Sequence, residues 1–501
     1  MATTHKRTRT GCWTCREAGY KCDEQKPFCQ RCTRLKINCK GYGIRLKWQE
    51  QPPEMVVKKP RAKRKKKKSD DSISTPASIA SDTSASSTYT ASPDTMETTM
   101  SVISVPRTPA HGTGLSPDTS AGDRRLLHYW AERLSSLISI APRGGKPTPF
   151  QLHLTSMAYD SAALRSTVLS MAANHLALQT SEPALRFQAY RHQRDAIHLL
   201  QALIQDPQQA HSEPALATVL MMQVSARLFG EDDEANVVNH LMGAKAMISR
   251  RGTDSWLNSS SARFLLSLFA YHDILSSISR GQKPLFNHDA EFQAVEGADD
   301  MQSIAAVLLI VARTSQLQYA IKIRREKGGD YALTEDEDST GRTLQQKLLA
   351  MRFDAQHSDL DSNPDIRFTA EAYRHAAFIY LYRTWLGVGA PNPISVEHIQ
   401  SCLVYISRVD VTSPLTSAHV WPLWSAGCES IGREQRQFVR DRFRSMYVSK
   451  LFPSWNRVMR DMEDVWTAKD EEERMEGQYG MEKVDCIQVI LKRGGREVDL
   501  A

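Results

Sequence analysis

Six of the chain's nine cysteines fall within 28 residues, Cys12 to Cys39, and their spacing constrains the fold more than any other feature. The order is Cys12-x2-Cys15-x6-Cys22, then after six residues Cys29-x2-Cys32-x6-Cys39, two copies of one unit. A C-x2-C pair lets two thiolates grip one ion across a tight turn, and tetrahedral zinc takes four such soft ligands. Six thiolates can complete two four-ligand sites only if two of them are shared. The repeat nominates the first cysteine of each copy, Cys12 and Cys29, as the bridges. A disulfide knot or a redox site would also use clustered cysteines. Met1 to Arg9, however, is polar and basic with no apolar run behind it, so a reducing compartment and a metal are expected.

Charge divides the chain in two. Residues 1–68 hold 21 Lys/Arg against 5 Asp/Glu, a net of +16, while residues 69–501 hold 43 against 52, a net of −9. A basic head of this size predicts a polyanion partner, and nucleic acid is the commonest. Two zinc ions and six thiolates sum to −2, so attraction to phosphate must come from the surrounding cations. Those are Lys6, Arg7, Arg9, Arg16, Lys21, Lys26, Arg31, Arg34, Lys36 and Lys40.

The spacing resembles that of the fungal zinc binuclear cluster, the six-cysteine DNA-binding domain of fungal transcription regulators. The stretch Lys21-Cys22-Asp23-Glu24-Gln25-Lys26-Pro27-Phe28-Cys29-Gln30-Arg31-Cys32 is similar to the family's middle segment, loop proline included. The resemblance implies one zinc on Cys12, Cys15, Cys22 and Cys29, and a second on Cys29, Cys32, Cys39 and Cys12. It also implies that a short helix after the second cysteine enters the major groove of double-stranded DNA and reads a CGG-type triplet. Here that helix is expected over Arg16–Lys21. Ala18 and Gly19 stand where many relatives carry basic residues, so an altered preference is expected. The DNA-contacting set is expected to be Arg16, Tyr20, Lys21, Lys26, Arg31, Arg34 and Lys36.

Composition predicts four segments: a zinc cluster module (1–48), a basic segment (49–68), a linker (69–121) and a helical domain (122–501). The basic segment carries Lys58, Lys59 and Arg61, then Lys63, Arg64, Lys65, Lys66, Lys67 and Lys68, a run that fits a nuclear import signal and predicts a nuclear location. Residues 69–120 contain 13 Ser and 10 Thr, too little apolar surface to offset ordering entropy, so a disordered linker is expected. No apolar heptads lie between Lys40 and Lys68, which predicts a monomer on DNA or homodimerisation through the helical domain.

Beyond Asp123 apolar residues recur at three- and four-residue spacing. Helices are predicted over Leu126–Ile138, Ala162–Leu178, Ala184–Ile204, Ala215–Phe229, Ala235–Ile248, Phe264–Ile278, Ile304–Ile323, Thr369–Leu386 and Gln435–Leu451. The fold class is therefore mainly α: a small zinc module, a linker and a large all-α regulatory domain. The longest purely apolar stretch, Ile304–Ala312, is about half a bilayer span, so no membrane partner is expected. Glu371–Arg383 and Trp421–Ser430 resemble stretches of the fungal-specific transcription factor domain, and with the Gly41–Trp48 tail they are similar to regulators of the acriflavine-sensitivity control type.

Leu423-Trp424-Ser425-Ala426-Gly427 has Leu where a nucleophile elbow begins with Gly, and the chain holds neither a Gly-rich phosphate loop nor His-Glu-x-x-His. An enzyme is not expected. The resemblance implies a sequence-specific regulator of RNA polymerase II genes, controlling a metabolic, drug-response or secondary-metabolite set, with the transcription machinery or co-regulators as partners. The alternative is a nuclear scaffold with a degenerate cluster that binds no DNA.

Overall fold

The computed structural model describes residues 11–25, 29–35, 37, 39, 120–139, 147–230, 237–286, 302–353, 363–494, 498 and 500. The predicted import run, the linker up to residue 119, Lys26 and Lys36 lie outside the described residues. Among the described residues every regular element is helical.

The cysteine module contributes α1 (Trp13–Glu17) and α2 (Gln30–Arg34). The helical domain opens with α3 (Ala121–Tyr129), which runs through a π-helical turn (Trp130–Leu134) into α4 (Ser135–Ile138). There follow α5 (Ser156–Asp160), α6 (Ala162–Thr180), α7 (Pro183–Gln205), α8 (Glu213–Phe229) and α9 (Val237–Arg251). Next come α10 (Thr253–Trp256), α11 (Ser260–Arg280), α12 (Gln302–Glu326), α13 (Glu335–Ala350), α14 (Pro364–Trp385) and α15 (Pro393–Ser407). The domain closes with α16 (Val420–Glu429), α17 (Arg433–Lys450), α18 (Pro453–Glu476), α19 (Gln478–Lys483) and α20 (Cys486–Gly494).

Helix starts follow from local chemistry. The hydroxyls of Ser120, Ser161, Ser212 and Ser259 each accept the backbone N–H three residues on, which satisfies a donor that the first turn leaves open. Thr334 and Glu337 form a reciprocal capping box at α13. Pro183, Pro364, Pro393 and Pro453 sit in first turns, where a missing N–H costs nothing.

The centre of the domain is α14 with α16. Every residue of α16 is buried, and α14 is buried on most of its circumference, packing against α12, α13, α15 and α16. The Tyr373 hydroxyl donates to the Ala418 carbonyl at 2.8 Å, and its ring lies 5.2 Å from that of Trp421. Both segments that resemble the regulator domain are therefore the core itself. Ser425 lies inside α16 and is buried, in a helix rather than at a strand-to-helix elbow. By length and composition α12 could cross a membrane, but Ile304, Val307, Leu308 and Val311 are buried in the protein.

Buried polar ties join elements far apart in sequence. His175 on α6 bonds the Lys450 carbonyl through Nε2 (2.8 Å) and the Tyr129 hydroxyl through Nδ1 (2.6 Å). A carbonyl only accepts, so Nε2 carries the proton and Nδ1 accepts from Tyr129. Burial pushes the His175 pKa down and so favours this neutral form. Arg324 grips Glu337 with two hydrogen bonds of 2.9 and 2.8 Å across α12 and α13, and Arg436 grips Asp470 with two of 2.7 Å across α17 and α18. The most enclosed tie is Glu429 at the end of α16, held by Arg383 of α14 and Lys469 of α18.

Candidate metal centre and nucleic-acid interface

Each C-x2-C pair opens a helix. The Cys12 sulfur caps α1 by accepting the Cys15 N–H at 3.4 Å, and the Cys29 sulfur caps α2 by accepting the Cys32 N–H at 3.3 Å. This is the same two-residue spacing used twice, 17 residues apart. The Sγ atoms of Cys12, Cys15, Cys29 and Cys32 all lie within 4.8 Å of one another. Cys12 to Cys29 is 3.6 Å, Cys15 to Cys29 3.7 Å, Cys12 to Cys32 3.9 Å and Cys15 to Cys32 4.0 Å. A disulfide measures about 2.05 Å, so none of these contacts is one. A zinc tetrahedron with Zn–S near 2.3 Å has edges of about 3.8 Å, close to the Cys12–Cys29, Cys15–Cys29 and Cys12–Cys32 separations, whereas Cys15 and Cys32 would serve different ions.

Cys22 and Cys39 complete the set from the loops and are buried. The Cys22 sulfur accepts the Cys12 N–H at 3.3 Å, and the Cys39 thiol reaches those of Cys12 and Cys32. Burial pushes the Cys12, Cys29 and Cys32 thiols up, Cys29 to about 12. Six buried sulfurs, four of them at near tetrahedral-edge spacing, are a donor set for soft, positively charged ions.

The expected reading helix ends early. Instead of running over Arg16–Lys21, α1 stops at Glu17, and Gly19 adopts φ 74°. The Gly19 N–H donates to the Arg16 carbonyl at 3.3 Å and the Tyr20 N–H to the Cys15 carbonyl at 2.9 Å, the paired bonds of a Schellman ending. Gly19 is thus the residue this turn requires, not a weak point within a helix. Replacing it with Lys, as relatives would suggest, or with Ala forces a Cβ into left-handed backbone at a cost of about 1 kcal/mol. Both Gly19→Lys and Gly19→Ala are expected to shift the chelator midpoint for zinc removal to lower concentration. A neutral Gly19→Lys would show that this turn is not formed.

Arg16, Lys21 and Arg34 are exposed, and Tyr20 is 59% exposed. Arg31 is different: it is half-buried, with its guanidinium over the Tyr20 ring. Asp23 was not among the predicted site residues. Its carboxylate accepts the N–H groups of Gln30 (3.0 Å), Arg31 (3.1 Å) and Gln25 (3.1 Å), tying the first repeat to the start of α2. The available signal was an acidic residue directly after the third cysteine, ahead of a helix start with open N–H groups.

Comparison with known proteins agrees with this geometry. Residues 10–49 match the fungal Zn(2)-Cys(6) binuclear cluster domain, which binds two zinc ions through six cysteines, and residues 125–498 match the fungal specific transcription factor domain. The chain is 50% identical over 44 residues to arginine metabolism regulation protein II of Saccharomyces cerevisiae, covering 9% of this chain and 5% of that one. It is 44% identical over 59 residues to transcriptional regulatory protein moc3 of Schizosaccharomyces pombe, 11% and 12% of the two lengths. With transcription factor phomR of Diaporthe leptostromiformis the identity is 46% over 50 residues, 10% and 8%. The alignments span between 5% and 12% of these relatives' own lengths. No solved structure matches the chain significantly. The helical domain matches over most of its length and the six-thiol module precedes it in the same chain, so the protein belongs to the fungal-specific transcription factor family that carries a Zn(2)-Cys(6) binuclear cluster.

Proposed function

We propose that the chain is a nuclear, sequence-specific regulator of RNA polymerase II genes whose cysteine module binds double-stranded DNA and whose helical domain engages the transcription machinery or co-regulators. The observation that carries this reading is the six-thiol centre, with Arg16, Lys21 and Arg34 exposed around it. One zinc is held by Cys12, Cys15, Cys22 and Cys29, and the other by Cys29, Cys32, Cys39 and Cys12. The bound ions supply fixed charge and geometry, and the protein's own side chains do the rest. The Cys12 and Cys29 sulfurs lie 3.6 Å apart, near enough to serve two neighbouring ions together. Arg16, in the last turn of α1, and Lys21, just past the Schellman turn, flank the groove-facing end, and Arg34 lies at the equivalent end of α2. Lys26 and Lys36 extend the phosphate contacts, and the run Lys58–Lys68 directs nuclear import. The controlled genes belong to a metabolic, drug-response or secondary-metabolite set, and the chain binds DNA as a monomer or pairs through the helical domain.

The test uses the full zinc-loaded chain on duplexes carrying a CGG-type triplet or a scrambled one, at roughly 50 and 200 mM salt. The expected result is steep salt dependence together with tighter binding to the matched duplex. Arg16→Ala and Lys21→Ala are expected to lose about 1–3 kcal/mol on the matched duplex and less on the scrambled one. Equal losses on both would make these side chains phosphate contacts only. No preference at either salt would favour the scaffold reading.

A further inference from the structure

Among the cations of the cysteine module, Arg31 occupies a distinct place. Its side chain starts on α2, between Cys29 and Cys32, and ends on the other repeat. There its Cζ stands 3.9 Å from the centre of the Tyr20 ring and its Nη1 donates to the Cys15 sulfur at 3.8 Å. Its backbone is fixed as well, since its N–H donates to Asp23. Tyr20 is in turn held by the Schellman bond from its own N–H to the Cys15 carbonyl. The two groups that Arg31 touches, Tyr20 and Cys15, are thus already tied together.

The 17-residue repeat supplies an internal control. Position 31 corresponds to Thr14 in the first copy and position 20 to Ile37 in the second. Neither counterpart could make this contact, so the bridge exists once, from the second repeat to the first. Its chemistry suits the centre. Two zinc ions and six thiolates leave an excess of negative charge, and a guanidinium that donates to a thiolate offsets part of it with a charge-assisted bond. Covering that cation with an aromatic face adds a cation–π contact at a half-exposed site.

We propose that Arg31 is a latch for the metal centre rather than a DNA contact. It clamps the Cys15 thiolate and the end of the reading helix α1 to the second repeat, and so slows zinc loss and fixes the direction in which α1 points. This rests on the two-zinc reading of the module.

The experiment measures zinc transfer from the loaded full-length chain to a chromogenic chelator, together with the salt slope of DNA binding. Arg31→Ala and Tyr20→Ala are each expected to speed zinc release by roughly tenfold. The double variant should release zinc no faster than the quicker single one, because both changes remove one shared contact. Tyr20→Phe keeps the ring and should match wild type, while Arg31→Lys, which loses the planar fork, should fall between. The salt slope of Arg31→Ala should be unchanged. Wild-type release by Arg31→Ala overturns the latch, as does a salt slope shallower by about 0.9, the mark of a lost phosphate contact. A variant unable to hold zinc at all supports it if Tyr20→Ala also loses zinc faster. Failure of the two-zinc reading would appear separately, as a wild-type chain carrying other than two ions.

Discussion

Replacing either Cys12 or Cys29 with Ala is expected to empty both metal sites, whereas replacing Cys22 or Cys39 leaves one ion bound at reduced affinity. The asymmetry follows from sharing: six ligands serve two tetrahedra only if two sulfurs count twice. A module of about 30 residues buries too little apolar surface to fold unaided, and among its described residues the buried hydrophobic side chains are the six cysteines. Metal binding then supplies the folding free energy, on the order of 10 kcal/mol per structural site. Metal analysis of the full chain should give two zinc ions for wild type, none for Cys12→Ala and Cys29→Ala, and one for Cys22→Ala. DNA binding should vanish with the bridging variants, and thermal melting of the helical domain should stay the same. One ion in the wild-type chain would overturn the bridged arrangement. One ion retained in Cys12→Ala would move the bridge to another cysteine.

The metal centre was legible in the sequence because its information is local. A C-x2-C pair fixes both ligands within one turn, and the repeat of that pair fixes the rest. The turn at Gly19 was not legible in the same way. A glycine in a helix-forming stretch weakens a helix interior but completes a helix end, and only the backbone angle distinguishes the two. In the helical domain a clear apolar stripe gave limits near the observed ones, as in α7, where Leu185, Ala189, His192, Ala196 and Leu200 line one buried face. The misses have a physical cause. In α16 even Ser425 and Glu429 are buried, so its polar residues mark no solvent-facing side. Burial also hides part of the pattern in α18, where Arg457, Asp461 and Lys469 are inside with Trp455 and Val465. The partners of Arg457 and Lys469 stand on α8 and α16, which no spacing along one helix can show.

Glu429→Gln is expected to cost the helical domain about 3–5 kcal/mol of stability. Glu429 is 2% exposed, and its carboxylate accepts five hydrogen bonds, the longest from the Cys486 thiol at 3.7 Å. Arg383 donates from Nε at 2.7 Å and Nη2 at 2.9 Å, Lys469 from Nζ at 2.6 Å and the Ala390 N–H at 3.0 Å. Lys469 is itself fully buried, and removing the negative charge leaves it and Arg383 to repel each other in a dry interior. Breaking such a pair from one side costs about 3–5 kcal/mol. The loss should be pH-dependent in a definite direction. Burial alone pushes the Glu429 carboxyl up, but the charges of Lys469 and Arg383 outweigh it and hold the pKa at about 2, against 4.5 unperturbed. A depressed folded-state pKa means that the unfolded chain takes up the proton first. The stabilisation, about 3 kcal/mol from this shift, is therefore complete above pH 4.5 and drains away as pH falls towards 2. Thermal melts of wild type and Glu429→Gln should be far apart at pH 7 and converge below pH 4.5. Adding Lys469→Met should recover part of the loss at pH 7, since an apolar chain of similar length removes the stranded charge. Equal melting of wild type and Glu429→Gln at pH 7 would mean that the three charges contribute nothing net. A gap that widens as pH falls would reverse the sign of the linkage and refute the depressed carboxyl.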